Sequence, residues 1–472
     1  MKIAFVNPPA TRKDRYGTLA PAGSYAPPLA LCSLAAVTRE VGYETIIIDS
    51  QVENLNHEDS LNRIEAFSPQ VVGITSTTST FLSAAELASM IKRSNSDTVV
   101  VAGGVHISAL PRESLLNHKD IDIAVLGEGE ETIIELMDVL KDGRDLREVK
   151  GIVCRNSEEI TFTEDRLLIK DLDSLPLPAW DLLPNFPDAY NVQAQSVANF
   201  PSTSVCTSTG CTGKCTFCDR RIFGSKIRAH SAEYVIKMIK DLYYNYGVRD
   251  IQFEDDNFML LRTRLLKMCE MLKEEKMDIT WSCQARVDMV KLETLRKMKE
   301  TGCWMILYGV ESGSKKVLDL MKKGISKEKI EKAVDITHKA RIMCKGFFIT
   351  GFLNEDKNTL RETYDFIEKT KLDDISLHYY TPFPGSKAYE MAHKHGTVKG
   401  DISDMTYYKP VFIPNGLTEE DLIKHTKACY SMFYLKLRTI INYIRRVRGL
   451  PHLLYFVKSS SALIKYIILK RE

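Results

Sequence analysis

Cys211-Thr-Gly-Lys-Cys215-Thr-Phe217-Cys218 places three thiols in one tight turn, and its reading decides what surrounds it. Three thiolates can hold a four-iron cubane, and one iron is then left without a protein ligand. An open metal position can take a substrate or cofactor, as it does in catalytic rather than structural metal sites. The competing reading is a set of buried apolar cysteines. Gly210, Gly213 and Lys214 argue against it, because they make the segment a loop and a poor core element. Cys206, five residues before Cys211, falls within the preceding strand and reads as a packing residue rather than a ligand.

Working outward, strands alternate with helices after Cys218. The strands are expected at Thr203–Cys206, Asp250–Phe253, Thr280–Cys283, Met305–Tyr308, Cys344–Ile349 and Asp374–Tyr379, each followed by a helix. Six such units predict a partial barrel of parallel strands, with its site at the strand C-termini. Polar residues gather there: Glu254-Asp255-Asp256-Asn257, Gln284-Ala-Arg286-Val-Asp288, Gly309-Val-Glu311-Ser312-Gly313, Thr350-Gly351 and His378-Tyr379. Charge collected at one rim favours a site over plain surface.

The first third repeats the alternation at a shorter interval. Strands at Lys2–Val6, Thr45–Ile48, Val71–Thr75, Thr98–Ala102 and Ile123–Leu126 alternate with helices, which predicts a doubly wound parallel sheet. Ligands of such sheets sit beyond the carboxyl ends of the strands. Here those ends are Asn7-Pro8-Pro9, Ser76-Thr77-Thr78, Gly103-Gly104-Val105-His106 and Gly127-Glu128-Gly129-Glu130. No G-x-G-x-x-G follows the first strand, which disfavours a nicotinamide or flavin dinucleotide. The domains are expected at 1–142, 199–400 and, as a helical region, 401–472. A connector at 143–198 holds a hairpin around Asn156-Ser157-Glu158 and the proline-rich Leu175–Pro187.

The chain has 472 residues, 44% hydrophobic and 27% charged, with a net charge of +2. That length needs more than one core, and that charge predicts no nucleic-acid partner. Eleven cysteines without a secretory segment predict a reducing cytoplasm, where thiols serve metals. From Lys436 to Glu472 nine Lys or Arg face one acidic residue and alternate with Leu, Ile, Tyr and Phe. Two readings stay open for this tail: a helix packed on the barrel, or a peripheral membrane contact made by basic amphipathic helices. The second would suit a lipid-like substrate.

Taken in order, the cysteine loop with Phe217, Phe253–Phe258, Gln284-x-Arg286-x-Asp288, Tyr308–Ser314, Phe348-Ile349-x-Gly351-x3-Glu355 and Thr381–Tyr389 resemble the motifs of the radical S-adenosylmethionine (SAM) superfamily. With the N-terminal turns they resemble its cobalamin-domain branch, which includes anaerobic magnesium-protoporphyrin ester cyclase and many methyltransferases. The resemblance covers about residues 1–440. Thr209 and Thr212 depart from it, standing where relatives often have Arg and Pro. It implies a 4Fe-4S cluster on Cys211, Cys215 and Cys218. It implies SAM contacts from Phe217, Glu254, Asp255, Arg286, Glu311, Ser312, Ile349 and Gly351. Around cobalamin it implies Asn7, Ser76, Thr77, Gly103, Gly104, Gly127 and Glu128. The Asp-x-His-x-x-Gly signature is absent, so His106 is not expected to bind cobalt. The implied reaction is reductive cleavage of SAM and functionalisation of an unactivated carbon. Cobalamin-dependent C-methylation leads, ahead of radical oxidation, cyclisation or ring rearrangement, with a non-enzymatic iron–sulfur redox sensor last. Such an enzyme needs a small-molecule substrate and an electron donor such as a flavodoxin, ferredoxin or reductase.

Overall fold

The structure is a computed structural model; it describes residues 1–156, 159–190, 196–444, 446–447, 453–454, 457, 460–461 and 464–467. Ser157 and Glu158 of the expected hairpin turn lie outside the described residues. So do Arg445, Arg448, Gly449–Pro451 and Ile468–Lys470 of the basic tail.

The first sheet holds β1 (Lys2–Asn7), β2 (Glu44–Asp49), β3 (Val71–Thr75), β4 (Val99–Gly103), β5 (Ile123–Val125), β6 (Ile152–Asn156) and β7 (Glu159–Phe162). Their order is β2-β1-β3-β4-β5-β6-β7, with the first five parallel. Ile3, Phe5, Val71, Val100 and Ala124 are almost fully buried, as strands covered by helices on both faces must be. The last two strands are antiparallel. They come from the stretch read as connector, so its hairpin is the edge of the first sheet.

The second sheet holds β8 (Ser202–Val205), then β11 (Asp250–Phe253), β12 (Thr280–Ala285), β13 (Cys303–Glu311), β14 (Met343–Thr350) and β15 (Asp374–Tyr379), all parallel. Between β8 and β11 the short β9 (Ser208–Thr209) pairs antiparallel with β10 (Arg228–Ala229). One face of these strands carries Val205, Phe253, Cys283, Ile306, Cys344 and Ile375. They join the helix residues Val235, Met268, Leu295 and Ile330 in one apolar cluster. The alternate residues share the other, concave face: Ser204, Gln252 and Ser282 in register, then Phe347 beside Ser376 and Ile349 beside His378.

The apolar cluster does not stop at the domain border. It runs from Ile3 and Phe5 through Trp180, Leu183 and Tyr190 of the connector into Val205 and the barrel. The connector is thus packed as core rather than strung as a tether. Residues 396–414 were not expected to be sheet; β16 (Gly396–Val398) and β17 (Phe412–Pro414) pair antiparallel. Between them Ile402–Asp404 packs back onto Thr78–Thr80 of the first domain. Helices Glu419–Tyr434 and Leu437–Ile444 follow. Tyr434 and Tyr443 each donate a hydroxyl to Asp374 at the start of β15, at 2.6 and 2.7 Å. This part of the tail is packed on the barrel. Among the described residues no helix is long and apolar enough to cross a membrane.

Candidate functional site

The cysteine loop is held at both ends. Below it, Asp255 accepts from the backbone and hydroxyl of Thr207 at 3.2 and 2.9 Å and from the Ser208 hydroxyl. Gly210 has φ +83°, and a Cβ there would stand 2.2 Å from the Lys226 carbonyl oxygen, so only glycine fits. Above it, Thr216 donates its N–H to Met321 O at 2.9 Å and accepts from Ala388 N at 2.9 Å. A Cβ on Gly213 would lie 3.3 Å from Cys211 Sγ and 3.8 Å from Cys215 Sγ, so both thiols fold around this glycine. Gly213 also donates its N–H to Cys211 Sγ at 3.4 Å. Amide bonds of that kind tune cluster potentials. Burial pushes the Cys215 thiol up, against Lys323. It pushes Cys218 up to about 12. Cys211 and Cys215 fold around one glycine, and Lys323 and Arg286 stand beside the loop to balance thiolate charge. The residues therefore fit a cluster. Cys206, expected as a packing residue within the strand, lies one residue beyond β8 and is exposed; it donates to Ser208 O at 3.2 Å.

Charged residues from two strand ends and from the turn after the helix Lys315–Leu320 meet beside the loop. Glu311 takes φ +66° at the end of β13, where the register with β14 shifts. That turn aims its carboxylate at Lys323 Nζ, 2.6 Å away, with both side chains only 9% exposed. Gly309 makes room, since a Cβ there would meet Glu311 Oε1 at 2.6 Å and Lys323 Nζ at 2.7 Å. Burial works against the Lys323 charge, but Glu311 and Cys215 outweigh it and hold its pKa above the usual value. Arg286 bonds Asp288 at 3.0 and 2.9 Å and the Lys323 carbonyl at 3.1 Å. Phe217 lies 5.8 Å from Lys323 Nζ and shares an apolar cluster with Ile349 and Phe352.

Not every residue expected around SAM faces this point. Glu254 accepts from the amides of Gln252 and Gln284 on the concave face, and burial raises its carboxyl pKa. Asp255 is fully buried in the bonds that root the cysteine loop. Ser312 is bonded to Thr363 at 3.0 Å and to the backbone of Ser314, tying β13 to the helix Lys357–Lys369. Gly351 donates its N–H to Glu355 at 2.5 Å, so it offers only backbone. Lys323 escaped the sequence reading. It stands in Met321-Lys322-Lys323-Gly324, which looks like a solvated basic turn; the only local signal was the positive-φ turn at Gly324.

The first sheet presents a different kind of surface. The Asn7 amide donates to Asp49 at 2.8 Å and its oxygen accepts from Gln51 at 3.0 Å. Asp49 also accepts from Tyr190 at 3.0 Å. Ser76 bonds Gly103 O at 3.3 Å, and Thr77 bonds within its own turn to Ser79 and Thr80. Glu128 is paired with Arg228. His106 is 3% exposed, stacked on Phe81 at 4.2 Å with burial lowering its pKa to about 4. Thr77 is exposed, and the backbone at Gly103 is open: nothing lies within 4 Å of where a Gly103 Cβ would be. A cradle of strand-end backbone suits a large flat cofactor better than a set of side-chain ligands does.

Residues of both domains come together near the cysteine loop. Tyr407 is 53% exposed, yet protein surrounds it and burial raises its pKa, with Cys218 adding to the rise. Cys206 and Cys218 are likewise exposed while crowded by protein. Tyr407 sits 5.1 Å from Phe383 and 5.7 Å from His378; Tyr408 sits 4.9 Å from Tyr16 of the first domain. The segment after β16 thus touches the first domain.

Comparison with known proteins agrees with this arrangement. The B12 binding domain matches residues 17–137 and the radical SAM superfamily matches residues 205–367. An uncharacterized methyltransferase, PH0819 of Pyrococcus horikoshii, is 33% identical over 466 residues, covering 96% of this chain and 99% of that protein. The chain belongs to the B12-binding radical SAM enzymes. The anaerobic magnesium-protoporphyrin IX monomethyl ester cyclase of Cereibacter sphaeroides is 27% identical over 457 residues, 95% of this chain and 72% of the cyclase. Among solved structures, OxsB with aqua-cobalamin and SAM bound superposes with a TM-score of 0.74 at 18% identity, over 98% of this chain and 71% of that one. TsrM from Kitasatospora setae, with cobalamin and its iron–sulfur cluster, gives 0.72 at 15% identity, over 99% of both chains. The fold is theirs. As a B12-binding radical SAM enzyme, this protein uses a 4Fe-4S cluster, SAM and cobalamin, a small-molecule substrate and an electron donor.

Proposed function

We propose that this enzyme methylates an unactivated carbon of a small molecule, with cobalamin as methyl carrier. The observation that carries the reading is a B12-binding domain, open in its backbone at Gly103, that touches the segment after the three thiols, so that both cofactors can share one chamber. The full-length likeness to a protein described as a methyltransferase supports it. When bound, the cluster and SAM supply a hydrogen-abstracting radical, and cobalamin supplies a methyl group.

The protein's part is position, charge and dryness. Cys211, Cys215 and Cys218 hold the cluster. Lys323, braced by Glu311, and Arg286, braced by Asp288, place positive charge beside the thiolates and the carboxylate of SAM. Phe217, Ile349 and the backbone at Gly351 form the apolar side for adenine. Glu254, on the concave face between Gln252 and Gln284, is assigned to the methionine amino group. Ser312 and Asp255 act by fixing β13 and the cysteine loop. Ser76, Thr77, Gly103, Gly104 and Gly127 present backbone to cobalamin, with Asn7 and Glu128 behind them. Tyr407, Phe383 and His378 keep the space between dry, as radical chemistry requires.

The deciding experiment is anaerobic turnover with methyl-deuterated SAM and an extract of metabolites. A product heavier by one labelled methyl supports methylation. A product that has only lost hydrogen supports the cyclase-like alternative, which the 27% likeness to the ester cyclase favours. We further infer that the tail touches membrane and that the substrate is lipid-like. Leu437, Ile440, Ile441 and Ile444 are exposed on the last described long helix, opposite buried Thr439 and Tyr443. Equal liposome flotation with and without residues 436–472 would remove that part.

A further inference from the structure

The segment after Cys218 touches the first domain, and the connector beside it, at four points. Arg221 donates to Ala109 O at 2.8 Å. A Cβ on Gly127 would lie 3.9 Å from Ile222 O, and one on Gly224 would lie 3.3 Å from Leu168 Cδ1. The strongest contact is the fourth. Arg228 donates from both terminal nitrogens to Glu128, at 2.8 and 2.6 Å, and also to Ile169 O at 2.8 Å. Glu128 Oε2 accepts in addition from Ile169 N at 3.0 Å. The side chains are 8% and 12% exposed. Both carboxylate oxygens are thus engaged, and the fork-on-fork geometry is rigid in direction as well as length.

The path from this pair to the cluster loop is short. Arg228 stands opposite Thr209 in the β9–β10 ladder. Gly210 follows and is pressed against the Lys226 carbonyl. Cys211 is the next residue. On the other side Glu128 belongs to the turn after β5, one of the strand ends of the first sheet.

We propose that Glu128 and Arg228 are a positioning pair that sets the separation between the B12-binding domain and the cysteine loop. The inference rests on the proposed reading that both cofactors work in one chamber. Group transfer between two separately held cofactors tolerates little play, because a misplacement of about 1 Å can cost about 100-fold in rate. An ion pair shielded from water, bonded on both sides to the Ile169 backbone and facing across the ladder a residue two before a cluster ligand, removes that play.

Two measurements on the full-length chain test it, using Arg228→Gln and the exchanged pair Glu128→Arg/Arg228→Glu. Without added cofactors, amides of residues 208–211 and 220–229 should exchange hydrogen about tenfold faster in Arg228→Gln and return towards wild type in the exchanged pair. In reduced holoenzyme, pulsed EPR between cob(II)alamin and the reduced cluster should give one narrow distance in wild type and a longer, broader one in Arg228→Gln. The exchanged pair should restore it, while cobalamin affinity moves by less than about twofold in Arg228→Gln. Unchanged exchange and distance in Arg228→Gln would overturn the proposal. So would an unchanged distance with a loss of cobalamin affinity of about tenfold in Glu128→Gln, which would make Glu128 a cofactor ligand. A holoenzyme that cannot be formed would strike at the proposed function instead, and the exchange measurement would still decide the pair.

Discussion

The strand ends of the first sheet and those of the barrel carry similar residues and use them in opposite ways. In the barrel, Glu311, Arg286 and Lys323 turn towards the cysteine loop and form pairs beside it. In the first sheet, Asn7 and Glu128 turn into the protein and bond Asp49, Gln51 and Arg228. A small charged ligand and a metal cluster need side-chain ligands and counter-charges. A large flat cofactor needs an open floor, and side chains serve it best by bracing that floor from behind. The same acid at the end of a strand is therefore a site residue in one sheet and a strut in the other.

The largest effect should come from the thiols. Replacing any one of Cys211, Cys215 or Cys218 by Ala should remove bound iron and sulfide and lower 5′-deoxyadenosine formation by about 1,000-fold or more, because residues acting as one unit fail together. Cobalamin affinity should persist, since its floor lies in the other domain. Iron analysis, corrinoid absorbance and chromatography of the nucleoside read all three. Cluster assembly surviving in one single variant would break the barrel side of the comparison.

Next comes the buried ion pair. Lys323→Met leaves Glu311 with no partner at 9% exposure, and breaking a buried pair from one side typically costs about 3–5 kcal/mol. The shift in urea midpoint reads the cost, and SAM cleavage should fall with it. Lys323→Arg should recover part of the stability but not the fit beside Phe217 and Gly309. A stable, fully active Lys323→Met enzyme would show that the pair is not needed.

Much of this layout was legible in the chain. The alternation of apolar strands with helices predicted both sheets because packing on helices demands it locally. The three thiols were legible because ligand chemistry acts over a few residues. What stayed hidden depended on partners far along the chain. Nothing near Glu128 shows that Arg228, 100 residues on, will cover its carboxylate. Asp49 is likewise met by Tyr190, 141 residues away. Lys323 was hidden for the reverse reason, since its neighbours Lys322 and Gly324 make it look solvated. The edge strands β6 and β7 were legible as a hairpin but not as sheet, because pairing to β5 is a tertiary fact.

Two neighbouring glycines sharpen the floor of the first sheet. Gly104 has φ +101°, and a Cβ would meet Ser76 O at 2.5 Å, so Gly104→Ala should cost more than about 2 kcal/mol of stability. Gly103 has open space where its Cβ would point. Gly103→Leu should keep the melting temperature and lower cobalamin affinity by about tenfold, since the side chain would occupy the floor. Titration with hydroxocobalamin and a thermal melt separate the two. A Gly103→Leu protein that binds as before would move the cofactor away from this strand end.

The smallest effect concerns Glu355, which braces the turn at Gly351 from inside the protein. It is 1% exposed and accepts from the N–H groups of Gly351 and Phe352. Burial pushes its pKa from 4.5 up to about 8. The native state therefore holds this proton more tightly than the unfolded chain does. The contribution to stability is full below about pH 4.5 and is lost as pH rises through about 8. Between about pH 7 and 9 the loss should be about 1 kcal/mol. Glu355→Gln keeps an acceptor oxygen and cannot ionise, so its denaturation midpoint should lack this slope and should gain on wild type at the alkaline end. Parallel slopes in the two proteins would mean that Glu355 is already ionised at neutral pH. The turn would then be braced by a charge, as the barrel's other site residues are, rather than by a neutral group.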